Sequence, residues 1–140
     1  MHFMAKSELF KSKLFALVIK AYGAFPITRD SPDRAALRHS VNLLLEGDPV
    51  VIFPEGRTSP GEGMLPLQPG MAMLARTPGV QTICLGLRGV NKILPFATLK
   101  FRKGGTVWAR WGHPKVFTEA DSTADILAWA RAELEELRNE

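Results

Sequence analysis

A single cysteine in 140 residues rules out an internal disulfide, so no covalent cross-link closes any loop of this chain. Cys84 lies inside an apolar run and reads as a small core residue rather than a nucleophile, with a reducing setting the best fit. Long hydrophobic runs are missing as well. The greasiest stretch, Leu14 to Tyr22, is interrupted by Lys20 and falls far short of the ~20 residues that span a bilayer. The early lysines are interleaved with apolar residues instead of preceding them, which is not a signal-peptide pattern. Histidine is scarce, and three scattered histidines with one cysteine give no metal-ligand spacing.

Phosphate and nucleotide motifs also fail on spacing. Gly56 and Gly61 have the separation of a P-loop, but Glu62-Gly63 follows where lysine and a hydroxyl are needed. Gly61-x-Gly63 leads to Pro66 where a dinucleotide fingerprint needs glycine, and no G-x-S-x-G elbow occurs.

What remains is the composition of an ordinary globular domain, 46% hydrophobic and 23% charged. A domain of this length buries roughly two-thirds of its unfolded surface. The formal charge of +4 is uneven: residues 1–40 carry seven Lys/Arg against three acids, and 91–115 carry six with no acid at all. From 116 onward the balance reverses, with seven acids against two arginines. Either basic patch suits phosphates of a nucleic acid or an anionic membrane, or a solvated surface without a partner.

Ser7 is placed to cap a helix running to Tyr22, with Phe10, Leu14, Leu17, Val18 and Ala21 at helical spacing and Gly23 as its stop. Lys11, Lys13 and Lys20 lie off that stripe, which leaves two readings open: an amphipathic core helix, or one lying in a membrane interface. Ala24 to Thr28, with Pro26, reads as an edge strand leading to Arg29. Ser31-Pro32 reads as the start of a helix with Leu37, Val41, Leu44 and Leu45 on its apolar face and Gly47 as its end. Val50–Phe53 reads as a buried strand, Pro69 opens a short helix through Ala75, and Val80–Leu87 is another strand. Thr98–Arg102 and Thr106–Trp111 flank Lys103-Gly104-Gly105 as a hairpin. Ser122-x-x-Asp125 is a capping box that opens a final helix with Ile126, Leu127, Ala130, Leu134 and Leu137 inward. Strands alternating with helices predict an α/β fold: a mixed, mostly parallel sheet flanked by helices, with a C-terminal hairpin and helix.

The most informative run is Val50-Val51-Ile52-Phe53-Pro54-Glu55-Gly56-Arg57-Thr58-Ser59, where an apolar strand stops at a polar loop. Ligands of open α/β sheets bind outside the carboxyl ends of such strands. Glu55 accepts from hydroxyls or an arginine, Gly56 lets backbone N–H groups approach closely, and Arg57 pairs with phosphate. An ordinary strand-to-loop turn accounts for the same residues about as well.

Three blocks in order, Phe3-Met4-Ala5-Lys6-Ser7-Glu8-Leu9-Phe10, Gly23-Ala24-Phe25-Pro26-Ile27-Thr28-Arg29 and Phe53-Pro54-Glu55-Gly56-Arg57-Thr58-Ser59, resemble the glycerophospholipid acyltransferase family over residues 1–95. Its best-known bacterial members are 1-acylglycerol-3-phosphate acyltransferases. The resemblance implies transfer of a fatty acyl group from acyl-CoA or acyl carrier protein to lysophosphatidate, giving phosphatidate, with no further cofactor and no metal. It implies acceptor contacts from Arg29, Glu55 and Gly56, extended to Arg57 and Thr58 of the same loop, with Lys6 the weaker candidate. It also implies a cytoplasmic location peripheral to the inner face of a membrane, and no nucleic-acid partner.

The pattern departs from the family in three places. Arginine and threonine are exchanged in Arg57-Thr58, and Gln81-Thr82 stands where the fourth block carries a proline-containing run. The family's catalytic H-x-x-x-x-D block, usually about 25 residues before the lysine of the A-K-x-E-L block, does not occur: the positions five after His2, His39 and His113 hold Ser7, Leu44 and Thr118. Residues 1–140 are therefore expected to form a single acyltransferase-like domain without its N-terminal catalytic segment. No substitute base is evident, since His2 is read as part of a frayed terminus, His39 as solvated, and His113 as a loop residue without a carboxylate partner. Two rivals stand beside this reading: an inactive lipid- or phosphate-binding module, and a basic nucleic-acid binder stacking bases on Trp108 and Trp111.

Overall fold

The computed structural model describes residues 1–28, 33–57, 63–95 and 102–139. Its first half is a parallel sheet with strand order β2-β1-β3, where β1 is His2–Lys6, β2 is Ala24–Ile27 and β3 is Val50–Val51. The register runs Phe3↔Ala24 to Lys6↔Ile27 on one side of β1 and His2↔Val50, Phe3↔Val51 on the other. Pro26, which has no N–H to give, sits in the edge strand β2, as its chemistry requires. Parallel neighbours need crossovers. Helix α1 (Lys13–Ala21) joins β1 to β2, and helix α2 (Arg34–Leu45) joins β2 to β3.

The β1–β2 crossover is not one continuous helix from Ser7. A 3₁₀ turn at Ser7–Phe10 ends at Lys11, and Ser12, with extended backbone (φ −82°, ψ 114°), restarts the chain as the N-cap residue of α1. Ser7 spends its hydroxyl on Glu8 instead of capping. Gly23, at φ +79°, stops the helix in a conformation that other residues adopt only at a cost.

Helix α2 starts at Arg34, two residues later than the Ser31-Pro32 signal implies, and that signal lies outside the described residues. Its N-cap is Asp33, whose Oδ1 accepts from the Ala36 N–H at 2.9 Å. Its inward face is also turned by one position: Ala36, Ser40 and Leu43 are buried, while Leu45 is exposed. Ser40 is tolerated inside because its hydroxyl donates to the Ala36 carbonyl at 2.7 Å. Ala36 and Leu43 close over Phe25, with Met4, Ile27 and Val50 around them.

Strand β3 ends after two residues and Phe53 is 66% exposed, so the predicted four-residue buried strand is cut short. Pro54 begins the turn that ends it, and the Gly56 N–H closes back on the Phe53 carbonyl at 3.0 Å. Helix α3 (Gly70–Ala75) follows Pro69 as expected and buries Met71, Ala72, Leu74 and Ala75.

The Val80–Leu87 run divides into β4 (Gln81–Thr82) and β5 (Leu85–Arg88) around buried Cys84. A short helix α4 (Val90–Ile93) comes next. The predicted hairpin's first arm falls mostly outside the described residues. The described partner of β6 (Trp108–Trp111) is β5, antiparallel, and β7 (Lys115–Val116) pairs with β4. Helix α5 (Thr123–Asn139) opens on the Ser122–Asp125 capping box, with the Ser122 hydroxyl donating to Asp125 at 2.6 Å and accepting from its N–H at 3.1 Å. Ile126 and Ala130 are completely buried against Met71, Ala72, Cys84 and Phe117, with Leu127, Leu134 and Leu137 packed around that core. Burial and the nearby Glu133 carboxylate push the Cys84 thiol up to about 11. No helix among the described residues is long and apolar enough to cross a membrane.

Candidate functional site

Because β1, β2 and β3 are parallel, their carboxyl ends share one edge of the sheet. Lys6 ends β1, Ile27-Thr28 ends β2 and leads to Arg29, and the Phe53–Arg57 turn follows β3. Three segments far apart in sequence thus deliver a lysine, a segment leading to an arginine, and a glutamate-glycine turn to one edge. Arg29 and Thr58 themselves lie outside the described residues.

The turn after β3 is held by its own backbone. Gly56 adopts φ +71°, and a Cβ there would meet the Gln68 side chain at 3.2 Å. The Gln68 N–H donates to the Pro54 carbonyl at 2.8 Å, and Oε2 of half-buried Glu55 accepts from the Leu65 N–H at 2.7 Å. These two bonds pin the 54–57 and 65–68 segments together, and α3 fixes them to the core. Glu55 is therefore committed in part to loop architecture, a role its sequence context did not reveal. Arg57 is exposed, and Lys6 pairs with Glu8 at 3.2 Å.

The second loop has a matching device. Asp33 Oδ1 caps α2, while its Oδ2 accepts from the Thr28 N–H at 2.8 Å. One carboxylate thus ties together both ends of the 29–32 segment that carries Arg29. Those backbone N–H bonds, to Ala36 first and then Thr28, hold the Asp33 carboxyl below the usual aspartate range. Ser31-Pro32 masked this residue in the sequence. An aspartate three places ahead of Ala36 was the signal that could have found it.

The histidines stand apart from this edge. His2 is not frayed: it is the first residue of β1, paired with Val50, and its Nε2 lies 3.4 Å from Asp48 Oδ2. It occupies the opposite end of the strand from Lys6, about 13 Å away at ~3.3 Å per residue. His39 is exposed, as expected, with its ring edge-on to Phe25 at 4.9 Å between centroids. It makes no hydrogen bond or ion pair among the described residues. His113 does have a carboxylate neighbour: its N–H donates to Glu133 Oε1 at 2.9 Å, and its Nδ1 lies 3.7 Å from the same atom. The pairing arises because α5 packs against β5, the partner strand of β6, which brings Glu133 beside the residues that follow β6. That imidazole is wholly solvent-exposed, at the β6–β7 connection of the other half.

The sequence model of one family, described as acyltransferase, matches residues 1–88, well over half of the chain. The chain belongs to the acyltransferase family. Among curated acyltransferases it is similar to the 1-acyl-sn-glycerol-3-phosphate acyltransferase of Bacillus subtilis, 40% identical over 76 residues that make up 54% of this chain and 37% of that protein. The corresponding enzyme of Streptococcus pneumoniae is 42% identical over 55 residues, 39% of this chain and 21% of that one. Both of these relatives carry the name 1-acyl-sn-glycerol-3-phosphate acyltransferase. The fold of this chain matches the crystal structure of the 1-acyl-sn-glycerophosphate acyltransferase PlsC from Thermotoga maritima with a TM-score of 0.77, at 22% identity over 96% of this chain and 54% of that one. The chain spans little more than a third of the Bacillus acyltransferase and about half of the Thermotoga one.

Proposed function

We propose that this chain supplies the acceptor-binding part of an acyltransferase that converts 1-acylglycerol-3-phosphate to phosphatidate at a membrane surface, with acyl-CoA or acyl carrier protein as donor. The observation that carries the reading is the convergence of Lys6, the β2 end before Arg29, and the Glu55–Arg57 turn on one carboxyl edge of a parallel sheet. A phosphate monoester needs cationic donors, and Lys6, Arg29 and Arg57 are the cations of these segments. Gly56 lets the turn approach the glycerol backbone closely, and Thr58 adds a hydroxyl next to Arg57. Glu55 holds the turn in shape through Leu65.

Acyl transfer to a hydroxyl also requires a base within hydrogen-bond reach. His2 sits at the far end of β1 and His113 in the other half, so neither serves this edge. Among the described residues, His39 lies with its ring edge-on to Phe25 and makes no hydrogen bond or ion pair, so the reading assigns acceptor binding, and no base, to those of this edge. Calorimetric titration of the chain with short-chain lysophosphatidate tests the reading. Saturable binding that is lost in Arg29→Ala, with negligible turnover on adding acyl-CoA, is the expected result. Ordinary turnover would refute the assignment of binding without a base, and binding indifferent to Arg29→Ala would refute the site.

A further inference from the structure

A crossover helix ordinarily hides its apolar stripe against the sheet and shows polar residues to water. Helix α1 does the reverse. It packs on β2 and the 3₁₀ turn, yet Ala16 is its one buried residue. Leu14 is 77% exposed, Leu17 68% and Tyr22 75%, with Phe15 and Val18 about half exposed. At 3.6 residues per turn these side chains sweep an unbroken outer arc of roughly 160°. Lys13 and Lys20 stand along one border of that arc, and Lys11 just precedes the helix. The helix contains no acidic residue.

We infer that this outer face of α1 is a docking surface for an anionic lipid bilayer, with Leu14, Leu17 and Val18 sunk into the boundary between headgroups and acyl chains. An apolar arc bordered by lysines is the pattern of an interfacial helix: burial drives insertion while the ammonium groups reach lipid phosphates. The charge favours this occupant, since the first 28 residues carry four lysines against Glu8 alone. The inference rests on the reading of an acceptor borne by a bilayer for its choice of lipid. It adds where the bilayer sits: beside the helix that links the Lys6 strand to the strand leading to Arg29.

The test is flotation of the full 140-residue chain with vesicles of phosphatidylcholine, alone or with phosphatidylglycerol, and without lysophosphatidate. Binding is expected on anionic vesicles. Leu14→Ser combined with Leu17→Ser should weaken it by at least about tenfold, and Lys13→Gln or Lys20→Gln by about fivefold each. Val107→Ser, at a partly solvent-facing apolar position beside β6, should leave it unchanged. Hydrogen exchange of the unmodified chain supplies a check free of substitutions, with residues 13–22 gaining protection on anionic vesicles. Equal flotation of the leucine variant and the wild type, or no such protection, would overturn the inference. A vesicle-free dimer that Leu14→Ser/Leu17→Ser dissociates, without lipid binding, would overturn it in favour of a second copy. Acceptor binding, measured with soluble lysophosphatidate, stands or falls separately.

Discussion

Replacing Asp33 by alanine should unfasten both the start of α2 and the ends of the 29–32 segment. The carboxylate receives two short bonds, from the Ala36 N–H at 2.9 Å and the Thr28 N–H at 2.8 Å. Loss of an N-cap costs about 1 kcal/mol, and loss of the second, more exposed bond adds up to about as much, so the total is about 1–2 kcal/mol. With an unfolding entropy of ~2.1 cal/mol/K per residue, a chain of this length should melt roughly 3–7 °C lower. An asparagine in place of the aspartate keeps an oxygen for the Ala36 N–H but cannot serve both partners well, so Asp33→Asn should recover about half of the loss.

The pH dependence has a definite sign. Asp33 is held below its ordinary carboxylate range in the folded state, so it stabilises the fold above its unfolded pKa. That contribution fades as pH falls through the folded value. The gap between wild type and Asp33→Ala should accordingly be constant from neutral pH to about pH 5 and shrink below ~pH 4. Urea unfolding of both proteins across this range is the assay. A gap that persists undiminished at about pH 2, or that is absent at about pH 7, would refute the clamp.

Gly56→Ala meets both a positive φ (+71°) and the Gln68 side chain, so it should cost about 1 kcal/mol or more and weaken lysophosphatidate binding, read by calorimetry. Glu55→Ala frees the Leu65 N–H, so it should raise the acceptor dissociation constant by about tenfold and lower the melting temperature by about 3 °C, as loss of a bond worth about 1 kcal/mol implies. Gly86→Ala would place a Cβ 2.7 Å from the Leu137 Cβ, and the resulting overpacking should cost about 1–3 kcal/mol in urea titrations. Cys84, with its thiol pushed up to about 11, should react with a disulfide reagent at about pH 8 at the rate of global unfolding, and ordinary solvent-thiol rates would contradict its burial.

Local patterns that settle their own structure were legible in the sequence. The Ser122–Asp125 box, the Gly23 and Gly47 stops and the Pro26 edge strand depend on neighbours a few residues away, and each stands as read. Long-range pairing was not legible. Strand β1 carries no alternation, and only its neighbours make it a strand: β2 along Phe3–Lys6 and β3 at His2 and Phe3. For the same reason His2 looked like a loose end until Val50 and Asp48 were found beside it. Ser40 hid the true inner face of α2, since a hydroxyl that bonds its own helix behaves as an apolar residue. At the site, residue types were legible but their duties were not. Glu55 and Asp33 are both carboxylates of loops, and only the fold shows that each ties a loop to itself.

On the proposed reading, the carboxyl edge of the parallel sheet receives the glycerol phosphate. Titrating the isotopically labelled chain with short-chain lysophosphatidate and following its amide NMR signals tests this most directly. The amides of Lys6, Thr28, Gly56 and Arg57 should shift together along one saturation curve, while those of His2 at the other end of β1 and Trp108–Trp111 stay in place. Shifts centred on β6, or on His2 and Asp48, would contradict it.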